Sequence, residues 1–354
     1  MTAGQGRLEA PHRRASTGQR RIVERTAVVA YRATAWLLAV VPERPARAII
    51  GLGAQASYLL WPAKRHWSNR NFGHVLGLPP TDPKVRRLAL RAYAEYGRYL
   101  VELMRLPSMA PDAIARLVPL DPAEVDRVWR RDGESGGDPR GGLILTVTHM
   151  GSNEAVGASV AHLGLPIGVV ADDSAFPELF DLLRRQRERW GVTLIPWRNL
   201  RAIFGVLRRH ELLGLLVDWG YRSDGIPVRF FDAWTTLPAG PATLAAKTGS
   251  RILPIRIHRV ADGTFDVTFG EPIVLASDGP AELQRATQQM ADQLAGAIRA
   301  APHQWYSFKP IWPASQAEMD DLERRAREMQ AGRPDPGPRR DLPRDEADQA
   351  EEAA

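Results

Sequence analysis

Apolar positions fall into two regimes along the chain, and the change comes near residue 143. From Ile22 to Trp61 the sequence is rich in Ala, Val, Leu and Ile, broken by Arg25, Arg32, Pro42, Arg44, Pro45 and Arg47. This pattern predicts two helices, 22–40 and 43–61, split at Val41-Pro42. Their longest uncharged stretches, 33–42 and 48–63, are shorter than the roughly 20 residues that span a bilayer. Such helices serve either as core elements or as an anchor lying on a membrane surface. Helical spacing continues over 64–73, 83–105, 111–117 and 121–131, where Asp121-Pro122 supplies a cap and a first-turn proline. A Gly/Asp loop follows at 132–142.

Beyond it, continuous apolar runs of strand length alternate with helical patterns. Strands are expected at 143–147, 166–171, 192–195, 212–217, 251–258 and 264–269. Helices are expected at 153–163, 176–190, 198–209, 239–248, 280–300 and 314–330. The alternation predicts an α/β fold, a central and mostly parallel sheet flanked by helices, with a helical region in front of it. Residues 1–21 read as a flexible basic arm, 22–330 as a single domain, and 331–354 as a disordered acidic tail.

The chain has 354 residues, no cysteine and a net charge of +6. Without Cys there is no disulfide framework, no thiolate metal site and no cysteine nucleophile. Residues 1–25 carry +4 and residues 332–354 carry −3, leaving +5 on the body. A basic body favours an anionic partner: nucleic acid, lipid headgroups or a phosphorylated substrate. Ten Trp against seven Tyr add side chains suited to membrane interfaces as well as cores.

One segment carries chemistry. The strand at 143–147 runs into Thr148-His-Met-Gly-Ser-Asn-Glu154. His149 falls just past the carboxyl end of a buried strand, where open α/β sheets bind ligands. Gly151 permits a tight turn, Ser152 or Asn153 can cap the next helix, and Glu154 lies in its first turn. A turn of this kind folds Glu154 back toward the imidazole, which would fix its tautomer and make its other nitrogen a base. Asp218, at the end of another buried strand, is a candidate for orienting His149, for holding an acceptor sugar or for a structural cap. Arg229 precedes Phe230-Phe231, which suit a core or the wall of an acyl pocket.

His149-x4-Glu154 resembles the H-x4-D/E signature of glycerolipid acyltransferases. From about residue 60 to 312 the chain resembles the bacterial lipid A biosynthesis acyltransferases, a family that includes phosphatidylinositol mannoside acyltransferases. The resemblance rests on Asn69-Arg-Asn-Phe72, Thr148 to Glu154, Arg184-Arg-Gln-Arg-Glu-Arg-Trp-Gly191 and Val217-Asp218, then on Gly225 to Phe231, Leu237-Pro-Ala-Gly-Pro-Ala-Thr-Leu-Ala245 and His303-Gln-Trp305. The sequence departs from the commoner pattern in having Glu154 for Asp and Ser152-Asn153 before the acid. It also lacks a clear N-terminal transmembrane helix, which brings it closer in character to the peripheral mannoside enzymes.

The resemblance implies direct transfer of a fatty acyl group from a thioester to a glycolipid hydroxyl, with His149 and Glu154 catalytic. It implies Arg187, Asp218, Asn153 and Arg229 as substrate-binding residues, with Arg187 on a phosphate. Acyl-CoA would enter as co-substrate, with no further cofactor and no metal. Partners would be the donor, a glycolipid acceptor and an anionic membrane surface, which helices 22–61 would contact at the cytoplasmic face of the plasma membrane. No nucleic-acid motif is present and the arginines are dispersed, so the charge points to lipids and not to nucleic acid.

Overall fold

The computed structural model describes residues 17–130, 141–173 and 176–339. Most of the expected basic arm (1–16), most of the Gly/Asp loop (131–140) and the tail from residue 340 lie outside them.

Four long helices come first: α1 (Thr17–Val40), α2 (Glu43–Leu60), α3 (Pro62–Leu76) and α4 (Pro83–Arg105). Helix α1 starts within the segment expected as arm. Two short helices, α5 (Pro111–Leu117) and α6 (Pro122–Trp129), lead to β1 (Leu143–Val147). Then follow α7 (Asn153–His162), β2 (Ile167–Ala171), α8 (Pro177–Glu188), β3 (Val192–Pro196), α9 (Leu200–Arg208) and β4 (Leu212–Leu216). A hairpin of β5 (Ile226–Phe230) and β6 (Ala233–Leu237) precedes α10 (Gly240–Thr248), β7 (Arg251–Arg259), β8 (Phe265–Phe269), α11 (Pro280–Ala300) and α12 (Gln316–Gln330).

Helix starts follow local chemistry. Asp82, Asp121, Ser152 and Asn199 each accept a hydrogen bond from the first turn of the helix they precede. Ser315 and Glu318 form a reciprocal capping box on α12.

The main sheet has six strands in the order β3-β2-β4-β1-β7-β8. Only the β7–β8 pairing is antiparallel. The β5–β6 hairpin stands apart as a second sheet. It occupies a stretch that the sequence pattern reads as loop, because its turn, Phe231-Asp232, lacks the usual Asn-Gly or Asp-Gly signal.

Strand β1 is buried on both faces. On one face Ile144, Leu213 and Ile252 pack with residues of α9, α10 and α11. On the other, Leu143, Leu145, Val147, Leu253 and Ile255 meet α5, α6 and α7.

The helical front is fixed to this body. Helices α2 and α4 meet at two glycines: a Cβ on Gly97 would lie 2.7 Å from the Gly51 Cα, so any side chain there would push the helices apart. Arg105 caps the end of α1, its guanidinium donating to the carbonyls of Leu38 and Val41. At the other end, Asn71 donates to the carbonyls of Ser307 and Lys309. The Asn69–Phe72 motif thereby ties α3 to the segment that follows α11. The first part of the expected tail is also tied down: Asp335 accepts two hydrogen bonds from Arg325, whose side chain is 1% exposed.

Candidate active site

In the parallel pairing of β1 with β4, Val147 stands opposite Leu216. Two residues further on, each chain reaches its polar residue, His149 in one and Asp218 in the other. The register alone thus brings them together at the carboxyl edge of the sheet. His149 Nδ1 lies 2.6 Å from Asp218 Oδ1. The backbone N–H of His149 reaches both carboxylate oxygens at 3.0 Å. Trp305 Nε1 donates to Oδ2 at 2.7 Å. Asp218 is 2% exposed, so these donors replace the water it gives up.

The carboxylate orients the imidazole. With Nδ1–H donating to Asp218, the unprotonated lone pair is left on Nε2. Burial works against a charged ring, yet the Asp218 carboxylate, with a further contribution from Glu154, holds the His149 pKa above its ordinary value. A raised pKa makes a stronger base, which suits proton abstraction from a hydroxyl.

Glu154 does not meet the imidazole, contrary to the expectation from the turn. One of its oxygens accepts from Tyr99 Oη at 3.1 Å and the other from Arg187 Nη2 at 3.1 Å. It clamps α4 and α8 to the start of α7, and Asp218 has the contact expected of it. Arg187 is consequently an ion-paired residue at the cavity wall. Burial, with the adjacent Glu154, raises the Tyr99 phenol well above its usual range. Tyr99 therefore remains a hydrogen-bond donor throughout the working pH range.

Gly151 makes the turn at φ 58°, and a Cβ there would lie 2.8 Å from Ile257 Cγ2. No other residue fits that turn without strain. Ser152 is the helix cap, its Oγ accepting from Ala155 N. Asn153 instead donates through Nδ2 to the carbonyl of Thr148 at 3.1 Å. Its Oδ1 is buried with no hydrogen-bond partner among the described residues, leaving an acceptor in the wall of the cavity.

A cavity of about 400 Å³ opens beside His149 and runs along the sheet. Its floor is the odd-numbered face of β1 (Leu143, Leu145 and Val147), flanked by Val169, Gly214, Leu216, Leu253 and Ile255. Helix α4 contributes Tyr96, Tyr99, Leu100 and Leu103, α6 contributes Trp129, and α7 contributes Val156, Gly157 and Val160. With the His149 imidazole, the residues Asn153, Glu154 and Arg187 give the lining its amide, carboxylate and guanidinium groups. The lining extends along the whole of β1, about 17 Å at a strand's rise per residue. An apolar channel of that length with a base at its mouth suits a long aliphatic chain whose reactive carbon stays near the imidazole.

Arg229 takes no part in this arrangement. Its side chain is exposed on β5, and its backbone pairs with the Gln288 side chain on α11. Phe230 stacks on Trp312 in the core and does not line the cavity. Trp305, read from the sequence only as a motif residue, is fully buried and anchors Asp218. Among the described residues no group of three His, Asp or Glu side chains is placed to hold a metal ion.

Comparison with known proteins fits this geometry. Residues 16–313 match the family described as bacterial lipid A biosynthesis acyltransferase. The chain belongs to that family. It is an acyltransferase. Among curated proteins it is 29% identical over 303 residues to a phosphatidylinositol mannoside acyltransferase of Mycolicibacterium smegmatis, covering 83% of this chain and 93% of that one. It is 27% identical over 317 residues to the protein of the same name from Mycobacterium tuberculosis strain H37Rv, covering 86% and 95%. The family match begins one residue ahead of α1 and takes in all of it, so the helical front of this acyltransferase belongs to the shared architecture.

Proposed function

We propose that this acyltransferase moves a fatty acyl chain from acyl-CoA to a hydroxyl of a glycolipid, a phosphatidylinositol mannoside, while docked on the cytoplasmic face of the plasma membrane. The observation that carries the reading is the His149–Asp218 pair at the mouth of an apolar channel. The acyl chain lies in the channel with its thioester carbonyl beside the imidazole. Nε2 takes the proton of the acceptor hydroxyl as its oxygen attacks that carbonyl. The tetrahedral intermediate collapses, the C–S bond breaks, and the imidazolium returns its proton to the departing CoA thiolate. No covalent enzyme intermediate forms. Arg187 faces the channel mouth, where it serves a phosphate of donor or acceptor, and Asn153 lines the same mouth beside the acceptor. The names of the mycobacterial relatives support the mannoside acceptor.

Membrane docking is supported by the helical front. Ile22, Val29, Trp36 and Val40 on α1 and Ile49, Leu52, Leu59 and Leu60 on α2 are all exposed. They recur at helical spacing, as in helices that lie in a membrane interface. Among the described residues no helix is long and apolar enough to cross a membrane.

The test is direct. Purified protein is incubated with palmitoyl-CoA and either a phosphatidylinositol mannoside or a lysophospholipid, and the products are read by mass spectrometry. Acylated mannoside is expected. Thioester left intact with both acceptors, or acylation of the lysophospholipid alone, overturns the assignment.

A further inference from the structure

Helix α8 and its C-terminal end carry four arginines between residues 184 and 189, and the fold uses them in two ways. Arg184 is held by Asp181 and Glu188, and Arg187 by Glu154. Arg185 and Arg189, one turn apart, have no ion pair or side-chain hydrogen bond among the described residues. Neither has Arg32 on α1. These three line one cleft of about 280 Å³ between α1 and α8. Tyr31, Ala35, Leu182 and Gln186 complete it, with Tyr31 Oη donating to Gln186 Oε1 at 3.0 Å. Among the described residues no carboxylate lines the cleft.

The partial negative charge at the end of α8 favours Arg185 and Arg189 where they stand. It offers nothing to Arg32, which comes to the same cleft from another helix. Three guanidiniums around one concavity repel each other until an anion is shared among them, and phosphate oxygens suit their forked donors. Location decides which phosphate. Arg32 borders the exposed apolar stripe of α1, with Val29 on one side and Trp36 and Leu37 on the other. A group bound beside that stripe lies at the depth of lipid headgroups when the stripe enters the acyl layer.

We propose that the Arg32–Arg185–Arg189 cleft binds the headgroup phosphate of a membrane phospholipid, a site separate from the acyl channel. The proposal rests on the membrane-docking part of the reading above. It gives α1 two holds on the bilayer, one apolar and one ionic, and fixes the orientation in which the protein lies. Helix α8 and the turn that ends it border the channel through Arg187 and Trp190 and the cleft through Arg185, Gln186 and Arg189. The bound lipid therefore sits one helix away from the reacting groups.

The experiment uses the full chain and vesicles of phosphatidylcholine, with or without phosphatidylinositol. The triple variant Arg32→Gln, Arg185→Gln, Arg189→Gln is compared with a charge-matched control, Arg116→Gln, Arg208→Gln, Arg299→Gln, in co-sedimentation. Binding to the phosphatidylinositol vesicles is expected to fall about tenfold or more in the first and to stay within about twofold in the control. The KM for palmitoyl-CoA, measured with acceptor in detergent, is expected to hold in both. Equal loss in variant and control overturns the proposal, because diffuse charge then suffices. A raised KM with intact vesicle binding also overturns it, by placing CoA phosphates in the cleft. Intact vesicle binding by the triple variant removes the cleft alone. Failure of the unsubstituted chain to bind either vesicle removes the docking reading and this site with it.

Discussion

The two faces of β1 are made from the same five residues and have opposite fates. Ile144 faces a filled interior, packed with Leu213 and Ile252 beneath α9–α11. Leu143, Leu145 and Val147 are as apolar and are also buried, yet they line a channel. The period of two along a strand lets one sequence hold both environments. One face gives the rigidity that sets the β1–β4 register, and the other gives up contacts to leave room for a chain. A buried apolar side chain therefore signals stability on one side of this sheet and ligand capacity on the other.

Five substitutions break or sharpen that contrast. The largest effect is expected at the channel mouth. His149→Ala should lower acyl transfer by about 10³-fold or more, the upper part of the range for a lost general base. Its melting temperature should stay close to that of the unsubstituted protein, and normal turnover would exclude His149 as the base.

Leu213→Ala, on the filled face, should do the reverse. It leaves a cavity costing about 2–5 kcal/mol, visible as a lower denaturation midpoint with little change in activity per folded molecule. Leu145→Ala, one strand away on the hollow face, should cost clearly less, because the space beside it is already empty. Equal costs at the two positions would mean that the channel is collapsed in solution.

Asp218→Asn should lower kcat/KM by about 10²-fold and also shift its pH dependence. The base acts when neutral, so the rate rises with pH through an inflection set by His149. Burial lowers that inflection and the Asp218 carboxylate raises it, with the net result above the ordinary imidazole value. Removing the carboxylate's charge leaves burial in control, and the inflection should move down. An unmoved inflection would assign the titration to another group. The smallest effect is expected from Gly157→Leu on α7. A Cβ there meets only Val192 Cγ2, at 3.7 Å, so the larger side chain projects into the channel. Turnover of palmitoyl-CoA should fall by about tenfold while that of a short acyl-CoA is retained, the loss of about one good apolar fit. A uniform loss would point to misfolding.

Much of this contrast could be read from the chain, and its failures share a cause. The alternation after residue 143 gave the sheet and its helices, because buried parallel strands declare themselves as continuous apolar runs. The place of His149, just past a buried strand's end, was legible. The sequence offers Glu154, five residues on, as its partner and Asp218 as one of several readings, and the contact belongs to Asp218. The Asp218 contact depends on which strand lies beside β1, and no spacing along the chain encodes that adjacency. Glu154 was drawn instead to Tyr99 and Arg187, side chains supplied by α4 and α8. Arg229 was singled out by its neighbours in a motif, yet it points outward because Phe230 beside it points in. The hairpin went unseen for want of a recognisable turn. The buried face of β1 was predicted, but its division into filled and hollow halves was not, since hydropathy records shielding from water and not the presence of a packed neighbour.

The clamp of Trp305 on Asp218 also sets when the candidate site is assembled. The imidazole comes from position 149, its partner from 218 and the anchor of that partner from 305, with Tyr306 N–H bonded to the His149 carbonyl. A chain emerging from the ribosome reaches the first of these long before the last. Contacts between such distant positions close late in folding. The arrangement around His149 is thus completed only after nearly all of the domain has been synthesised.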